Sequence, residues 1–251
     1  MGEAQTAADA DRASGDDVRW VGGIATGGRK VVIGLASVQV LVSIANAVDW
    51  MAGRPSWRIS SLVDLERESS IGTWLHTVAL LGGAVTLAVV TAATVRADRR
   101  AWPLLLIPLA LLGLSVDEVV QMHEWLGRSI EGATVGEGNS GALSDTGPWV
   151  VLAVPFAIGL ALVLRRAQPY LRSAPTAHRL LIGGFVVYLA GAAGMELLRN
   201  VVDEGGAAHL AQVIVEEGLE GLGAIGVLWA GLMLLDRASL RIAIGSLPRT
   251  T

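Results

Sequence analysis

The apolar residues of this chain fall into six long runs separated by short polar segments. The runs cover residues 30–50, 71–95, 102–126, 149–164, 180–200 and 209–235. About 20 apolar residues coiled as an α-helix span the roughly 30 Å hydrocarbon core of a bilayer. The pattern therefore predicts an all-α polytopic membrane bundle of six transmembrane helices. The fourth run is the shortest and contains Pro155.

The basic residues are divided unevenly between the two ends of these predicted helices. Fourteen of the 19 Lys and Arg residues fall on one side and five on the other. Because basic residues concentrate in cytoplasmic loops, both termini are predicted to be cytoplasmic, with the protein in the cell membrane. Residues 1–28 are predicted to be a disordered acidic tail, 29–238 the six-helix transmembrane domain and 239–251 a cytoplasmic C-terminal tail.

The composition narrows the classes of site and of partner. Apolar residues make up 52% of the chain and charged residues 17%, and cysteine is absent. Disulfides, thiolate metal sites and cysteine nucleophiles are therefore excluded. The net charge of −4 and the lack of a basic patch interleaved with aromatics argue against nucleic acid. The expected partners are the lipid bilayer and a lipid or small cation as substrate.

Charged residues interrupt the apolar runs, most clearly in LSVDEVVQMHEW at residues 114–125. A charge near the bilayer centre costs roughly 2.5–3.5 kcal/mol on insertion scales, so such groups need compensation. Position along each helix, at about 1.5 Å and 100° per residue, assigns a set of acidic residues to one layer in the outer half of the membrane. These are Asp117, Glu118, Glu124, Glu196, Glu216 and Glu220.

The acidic layer has too few cations to balance it, since Arg199 is the one arginine predicted nearby. Protons, water or a bound cation must offset the remaining charge. Carboxylates combined with imidazole suit Zn, Fe or Mn, which the sequence does not distinguish. The predicted ligands of a divalent metal ion are Asp117, His123, Glu124, Glu196, Glu216, Glu220 and His76. Glu118 and Glu217 are the predicted catalytic acid–base residues.

Three functions are compatible with this pattern. The first is a metal-dependent membrane enzyme acting on lipid, although the spacings H-x-x-x-H and H-E-x-x-H are absent. The second is a cation or proton transporter that uses the same acidic cluster. The third is a structural membrane subunit whose acids pair internally. The predicted cytoplasmic halves of the helices are almost wholly apolar, which favours a site open to the extracytoplasmic side over a channel.

Two short motifs carry a resemblance to other proteins. The first is S-x-D-E-x4-H-E from Ser115 to Glu124, and the second is E-E-x-x-E from Glu216 to Glu220. Together they resemble uncharacterised multi-span bacterial membrane proteins. The resemblance covers two helices and implies no activity.

Overall fold

The protein is all-helical in a computed structural model, which describes residues 21–123, 125, 126, 129, 150–195, 202 and 205–238. Seven α-helices lie with both ends inside these ranges: α1 (Val21–Met51), α2 (Trp57–Val63), α3 (Ile71–Ala97), α4 (Leu106–Val120), α5 (Val150–Leu171), α6 (Pro175–Leu189) and α7 (Ala207–Arg237). A 3-10 helix, Arg99–Leu105, leads into α4, and a π-helical segment, Ala190–Met195, continues α6. The predicted all-α class is confirmed.

Five helical segments of the described residues are long and apolar enough to cross a membrane. They are Gly27–Met51, Ile71–Ala97, Arg99–Val120, Pro175–Met195 and Ala207–Arg237. The fourth predicted span, 149–164, overlaps α5, which extends further to Leu171 and is not one of these five. The outward faces of the helices are strongly apolar, with Leu41 and Leu109 more than 60% exposed. An apolar exterior of this kind is typical of a helical membrane protein.

The long helix α7 is the centre of the bundle and packs against α1, α3 and α6. Its contact with α6 is close because glycines lie on both sides. A Cβ added at Gly184 would stand 2.8 Å from the backbone nitrogen of Val227 and 2.9 Å from the carbonyl oxygen of Gly223. Small residues at such a crossing bring two helix backbones together and replace side-chain contacts with backbone contacts.

Two side-chain contacts show which helix ends lie together at one end of the bundle. Tyr170 near the end of α5 donates a 3.0 Å hydrogen bond to Asp98, which precedes the 3-10 helix. Arg237, the last residue of α7, donates to the backbone carbonyl of Ser173, in the turn between α5 and α6. The end of α3, the starts of α4 and α6 and the ends of α5 and α7 therefore share one end of the bundle. His76, Glu118 and Glu220 lie toward the opposite end.

The third predicted span differs from the structure at its C-terminal side. The prediction of 102–126 treats it as one straight helix, but α4 ends at Val120. Gln121 has φ 56° and ψ 40°, the left-handed conformation, and ends the helix. Helical phase calculated for a straight helix therefore does not apply beyond this residue.

Candidate metal centre

His76 occupies the centre of a cluster of three glutamates that come from two other helices. Its Nδ1 atom lies 3.9 Å from Oε2 of Glu118, 3.9 Å from Oε2 of Glu217 and 4.0 Å from Oε2 of Glu220. The imidazole is 1% exposed. Within the described part of the chain, its Nδ1 has no hydrogen-bond partner, and no Lys or Arg forms an ion pair with these glutamates. A buried polar atom without a partner among protein groups is rare, and such an atom is available to a ligand or an ordered water.

Gln39 on α1 determines the orientation and the protonation pattern of this imidazole. Its amide nitrogen donates a 3.2 Å hydrogen bond to the backbone carbonyl of Glu217, so its amide oxygen faces His76. That oxygen lies 3.2 Å from Nε2 of His76. An amide oxygen only accepts hydrogen bonds, so Nε2 carries a hydrogen, and in the neutral imidazole Nδ1 then presents a lone pair. The lone pair of Nδ1 therefore faces three carboxylates.

The group with the geometry closest to that of a metal site consists of His76, Glu118 and Glu220. One ligand atom from each lies within 4.8 Å of the other two. Ligands about 2.1 Å from a tetrahedrally coordinated ion stand roughly 3.4 Å apart. The separations from Nδ1 to Glu118 and Glu220, 3.9 and 4.0 Å, are longer than this by about half an ångström. To bind one ion together with His76, the two glutamate side chains would have to move inward by at least this amount.

Hydrogen bonds from neighbouring side chains hold Glu118 of the cluster and the adjacent Glu216 in place. Tyr188 on α6 donates a 2.8 Å hydrogen bond to Oε1 of Glu118, which leaves Oε2 directed toward His76. Gln212 donates a 2.9 Å hydrogen bond to Oε2 of Glu216. Hydrogen bonds of this outer layer commonly orient metal ligands and tune their affinity.

Glu68, in the segment between α2 and α3, adds a further negative charge near the cluster. It interacts electrostatically with Glu118, Glu217 and Glu220. Two contacts hold the part of the segment that precedes Glu68. Arg54 makes a bidentate contact of 2.9 and 3.2 Å with the buried carboxylate of Asp64, and Glu66 lies 2.7 Å from His209 of α7.

Two glycines provide the space that the cluster occupies. A Cβ at Gly221 would stand 2.5 Å from Oε1 of Gln39 and 2.7 Å from Nε2 of His76. A Cβ at Gly191, in the π-helical segment, would stand 2.8 Å from Cγ of Glu220. Both positions exclude any larger residue without a shift of the ligands. A π-helical turn beside such a cluster is typical of functional sites.

The structure groups some of the predicted site residues and separates others. Glu118, Glu217, Glu220 and His76 lie together. Asp117 instead contacts His123, with 2.7 Å between Oδ2 and Nδ1, and accepts a 2.9 Å hydrogen bond from the His123 backbone. Glu216 is adjacent to the cluster and bonded to Gln212. Glu124, Glu196 and Arg199 lie outside the described residues.

Three residues of the site were not among the sequence-predicted candidates: Gln39, Glu68 and Tyr188. Gln39 had a readable signal, because it is a single amide inside the apolar run VVIGLASVQVLV. Tyr188 is one of only two tyrosines in the chain. Glu68 has no such signal, since it belongs to a polar segment with several other acids.

A family model described as Domain of unknown function (DUF8692) matches residues 31–235. The chain belongs to this family. The matched region contains every helix of the bundle from α2 to α6, most of α1 and most of α7, and all the residues of the His76 cluster. Neither a curated protein nor a solved structure matches the chain. The expectation of an uncharacterised family is thus met, while the two motifs quoted for it remain a prediction.

Proposed function

We propose that this protein is an integral membrane protein that binds a divalent metal ion through His76, Glu118 and Glu220. The observation that carries the proposal is the lone pair of His76 Nδ1, which is buried, has no partner in the described residues and faces carboxylates. A cation can be bound by an imidazole lone pair and by carboxylate oxygens at the same time. Nitrogen and oxygen donors together suit Zn, Fe or Mn.

The charge of the cluster supports the same conclusion. Glu68, Glu118, Glu217 and Glu220 interact with one another in a region where Glu118 and Glu220 are only 12% and 13% exposed. Burying carboxylates without a counter-charge is costly. A divalent cation offsets two of these charges and replaces water as the partner of the ligand atoms.

We also propose six spans, with α5 as the fourth, both termini in the cytoplasm and the His76 cluster toward the extracytoplasmic side. The 22 residues of α5 extend over about 33 Å, which suffices to cross the hydrocarbon core. The bundle end opposite the cluster carries the arginines that follow α3 and α5, which accords with a cytoplasmic location. Reporter enzymes fused at residue 135 and at the C-terminus test this topology, because the two should report opposite sides.

A metal held by three protein ligands keeps a position for water or substrate and can act as a Lewis acid. Glu217 suits the role of general base. Its Oε2 lies 3.9 Å from His76 Nδ1, and it is not one of the three proposed ligands. The reaction class we propose is hydrolysis of a lipid ester or amide, in which water adds OH to the acyl carbon and H to the leaving group. In mixed micelles of phospholipid and lipid-amide substrates, Glu217→Gln should keep the metal and lose hydrolysis.

The interior next to the cluster favours a one-sided site over transport. Leu80, Leu87, Leu111 and Val227 are at most 2% exposed and form an apolar layer between the cluster and the opposite end. A pathway for a cation or proton needs polar groups or water through that layer. Cation and proton flux into liposomes should therefore equal that of protein-free vesicles, and a saturable flux abolished by Glu220→Gln would reverse the assignment to transport.

Metal analysis of the purified protein is the decisive experiment. Cells supplied with Zn, Fe and Mn should yield one equivalent of a divalent metal per chain. His76→Leu, Glu118→Gln and Glu220→Gln should each lose it, while Glu66→Gln, on the neighbouring segment, should retain it. Asp117→Asn distinguishes the ligand set predicted from the sequence, which includes Asp117, from the set of His76, Glu118 and Glu220. In the structure Asp117 is the partner of His123. Metal-free wild-type protein that binds none of the three ions on addition would overturn the proposal.

A further inference from the structure

A groove with a volume of about 470 Å³ lies between α5 and α6, away from the His76 cluster. Its walls are apolar and include Leu160, Ala161, Ile182 and Phe185. Its end toward the turn between α5 and α6 is polar, and Arg165, Gln168 and His178 lie there. The groove therefore matches the polarity of a lipid, because apolar walls lead to one charged end.

The polar end has unused hydrogen-bonding and charge capacity. His178 lines the groove, and its Nε2 is buried with no hydrogen-bond partner among the described residues. Arg165 is exposed and has no ion-pair partner in the same part of the chain. Among the described residues at this end of the bundle, basic residues outnumber acidic ones, which are Asp98 and Asp236. The basic residues are Arg96, Arg99, Arg100, Arg165, Arg166, Arg172, Arg179 and Arg237.

We infer that this groove binds an anionic phospholipid, with an acyl chain along the apolar walls and the phosphate at Arg165 and His178. Lipid tails are as apolar as the groove, so the chain alone gives little preference between lipids. Selectivity must come from the headgroup. Basic pockets between transmembrane helices on the cytoplasmic side recognise anionic headgroups, and each basic residue contributes about a fivefold preference.

Native mass spectrometry of the full-length protein released from detergent tests this inference. The probes are dioleoyl-phosphatidylglycerol and dioleoyl-phosphatidylcholine, which carry identical chains. The wild type should bind the anionic lipid at least fivefold more tightly. Arg165→Gln should reduce that preference about fivefold, whereas Arg172→Gln should retain it, because Arg172 carries the same charge at the same end but does not line the groove.

A second pair of variants tests the apolar part. Ala161→Phe fills the groove and should reduce binding of both lipids, whereas Val154→Phe, on an exposed surface outside the groove, should not. Helical content and thermal unfolding in detergent verify that each variant is folded. Equal occupancy of the two lipids in the wild type, unchanged by Arg165→Gln, would indicate an ordinary lipid annulus and overturn the inference. Displacement of the lipid by millimolar glycerol phosphate would assign the polar end to a soluble phosphate and would also overturn it.

Discussion

Oε1 of Gln39 and Nε2 of His76 lie 3.2 Å apart, and both side chains are 1% exposed. This contact joins α1 to α3 and leaves Nδ1 of His76 as the acceptor atom. If His76 binds the proposed cation, Gln39 orients the imidazole for it without being a ligand itself. Partners of this kind are expected to change metal affinity without abolishing binding.

Replacement of Gln39 should therefore weaken metal binding by a defined amount. Gln39→Met, which has similar volume and no amide, should lower the affinity about 10- to 100-fold at unchanged stoichiometry. Gln39→Glu keeps an acceptor for the Nε2 hydrogen and should lose less. Isothermal titration calorimetry of the metal-depleted protein measures both. Equal affinity in Gln39→Met and the wild type would contradict this role.

Gly221 and Gly218 form a matched pair on α7. Gly221→Ala forces a Cβ to within 2.5 Å of Gln39 Oε1, so we expect a loss of about 1–3 kcal/mol in the free energy of unfolding and weaker metal binding. Gly218→Ala meets no atom within 4 Å and should gain about 0.5–1 kcal/mol from helix propensity. Denaturant unfolding in detergent micelles compares them. Similar effects of the two substitutions would show that the close approach at Gly221 is unimportant.

The two tyrosines of the chain provide a test of the hydrogen bond to Glu118. Tyr188→Phe removes the donor to Oε1 and should lower the metal affinity about tenfold, because Glu118 is then free to rotate away from His76. Tyr170→Phe removes a hydrogen bond to Asp98 at the opposite end of the bundle and should leave the affinity unchanged. Competition with a chromogenic chelator gives both constants. A loss in Tyr170→Phe as large as that in Tyr188→Phe would indicate a general effect on the fold.

Glu68 should act on the cation through its charge and not as a ligand. Glu68→Gln is expected to reduce the metal affinity about fivefold at low ionic strength, with a smaller effect in 0.5 M salt, because salt screens partly exposed charges. Glu66→Gln is the control, since Glu66 lies on the same segment but is paired with His209 and Arg54. An effect of Glu68→Gln that persists in high salt would instead make Glu68 a direct ligand.

The sequence was sufficient to predict the helices, because each depends on a local run of apolar residues. The predicted boundaries of 71–95 and 209–235 differ by only a few residues from Ile71–Ala97 and Ala207–Arg237. Depth in the membrane follows from position along a helix, so the sequence also allowed one layer to be assigned to His76, Glu118, Glu217 and Glu220.

The grouping of residues across helices was harder to predict because it depends on local departures from regular geometry. Gln121 breaks α4 and brings His123 back to Asp117, so two predicted ligands pair with each other. The π-helical turn at Ala190–Met195 changes the phase of the chain just before Glu196. Neither departure has a signature in hydropathy. The contact of Gln39 with His76 depends on how α1 packs against α3 and α7, which a single sequence does not contain.

The left-handed residue at Gln121 also gives two adjacent acids separate tasks. Asp117 closes the end of α4 by accepting the backbone hydrogen of His123, whereas Glu118 points inward to His76 and Tyr188. Neighbouring residues of a helix point about 100° apart, so the two carboxyls cannot exchange roles without a shift of register. Deletion of one residue between Leu106 and Leu114 would rotate Asp117, Glu118 and the turn at Gln121 together by about 100°, which keeps the contact of Asp117 with His123 but moves Glu118 away from His76. The length of α4 is therefore under the same constraint as the identity of its acids, and an insertion there should be as damaging as the loss of Glu118.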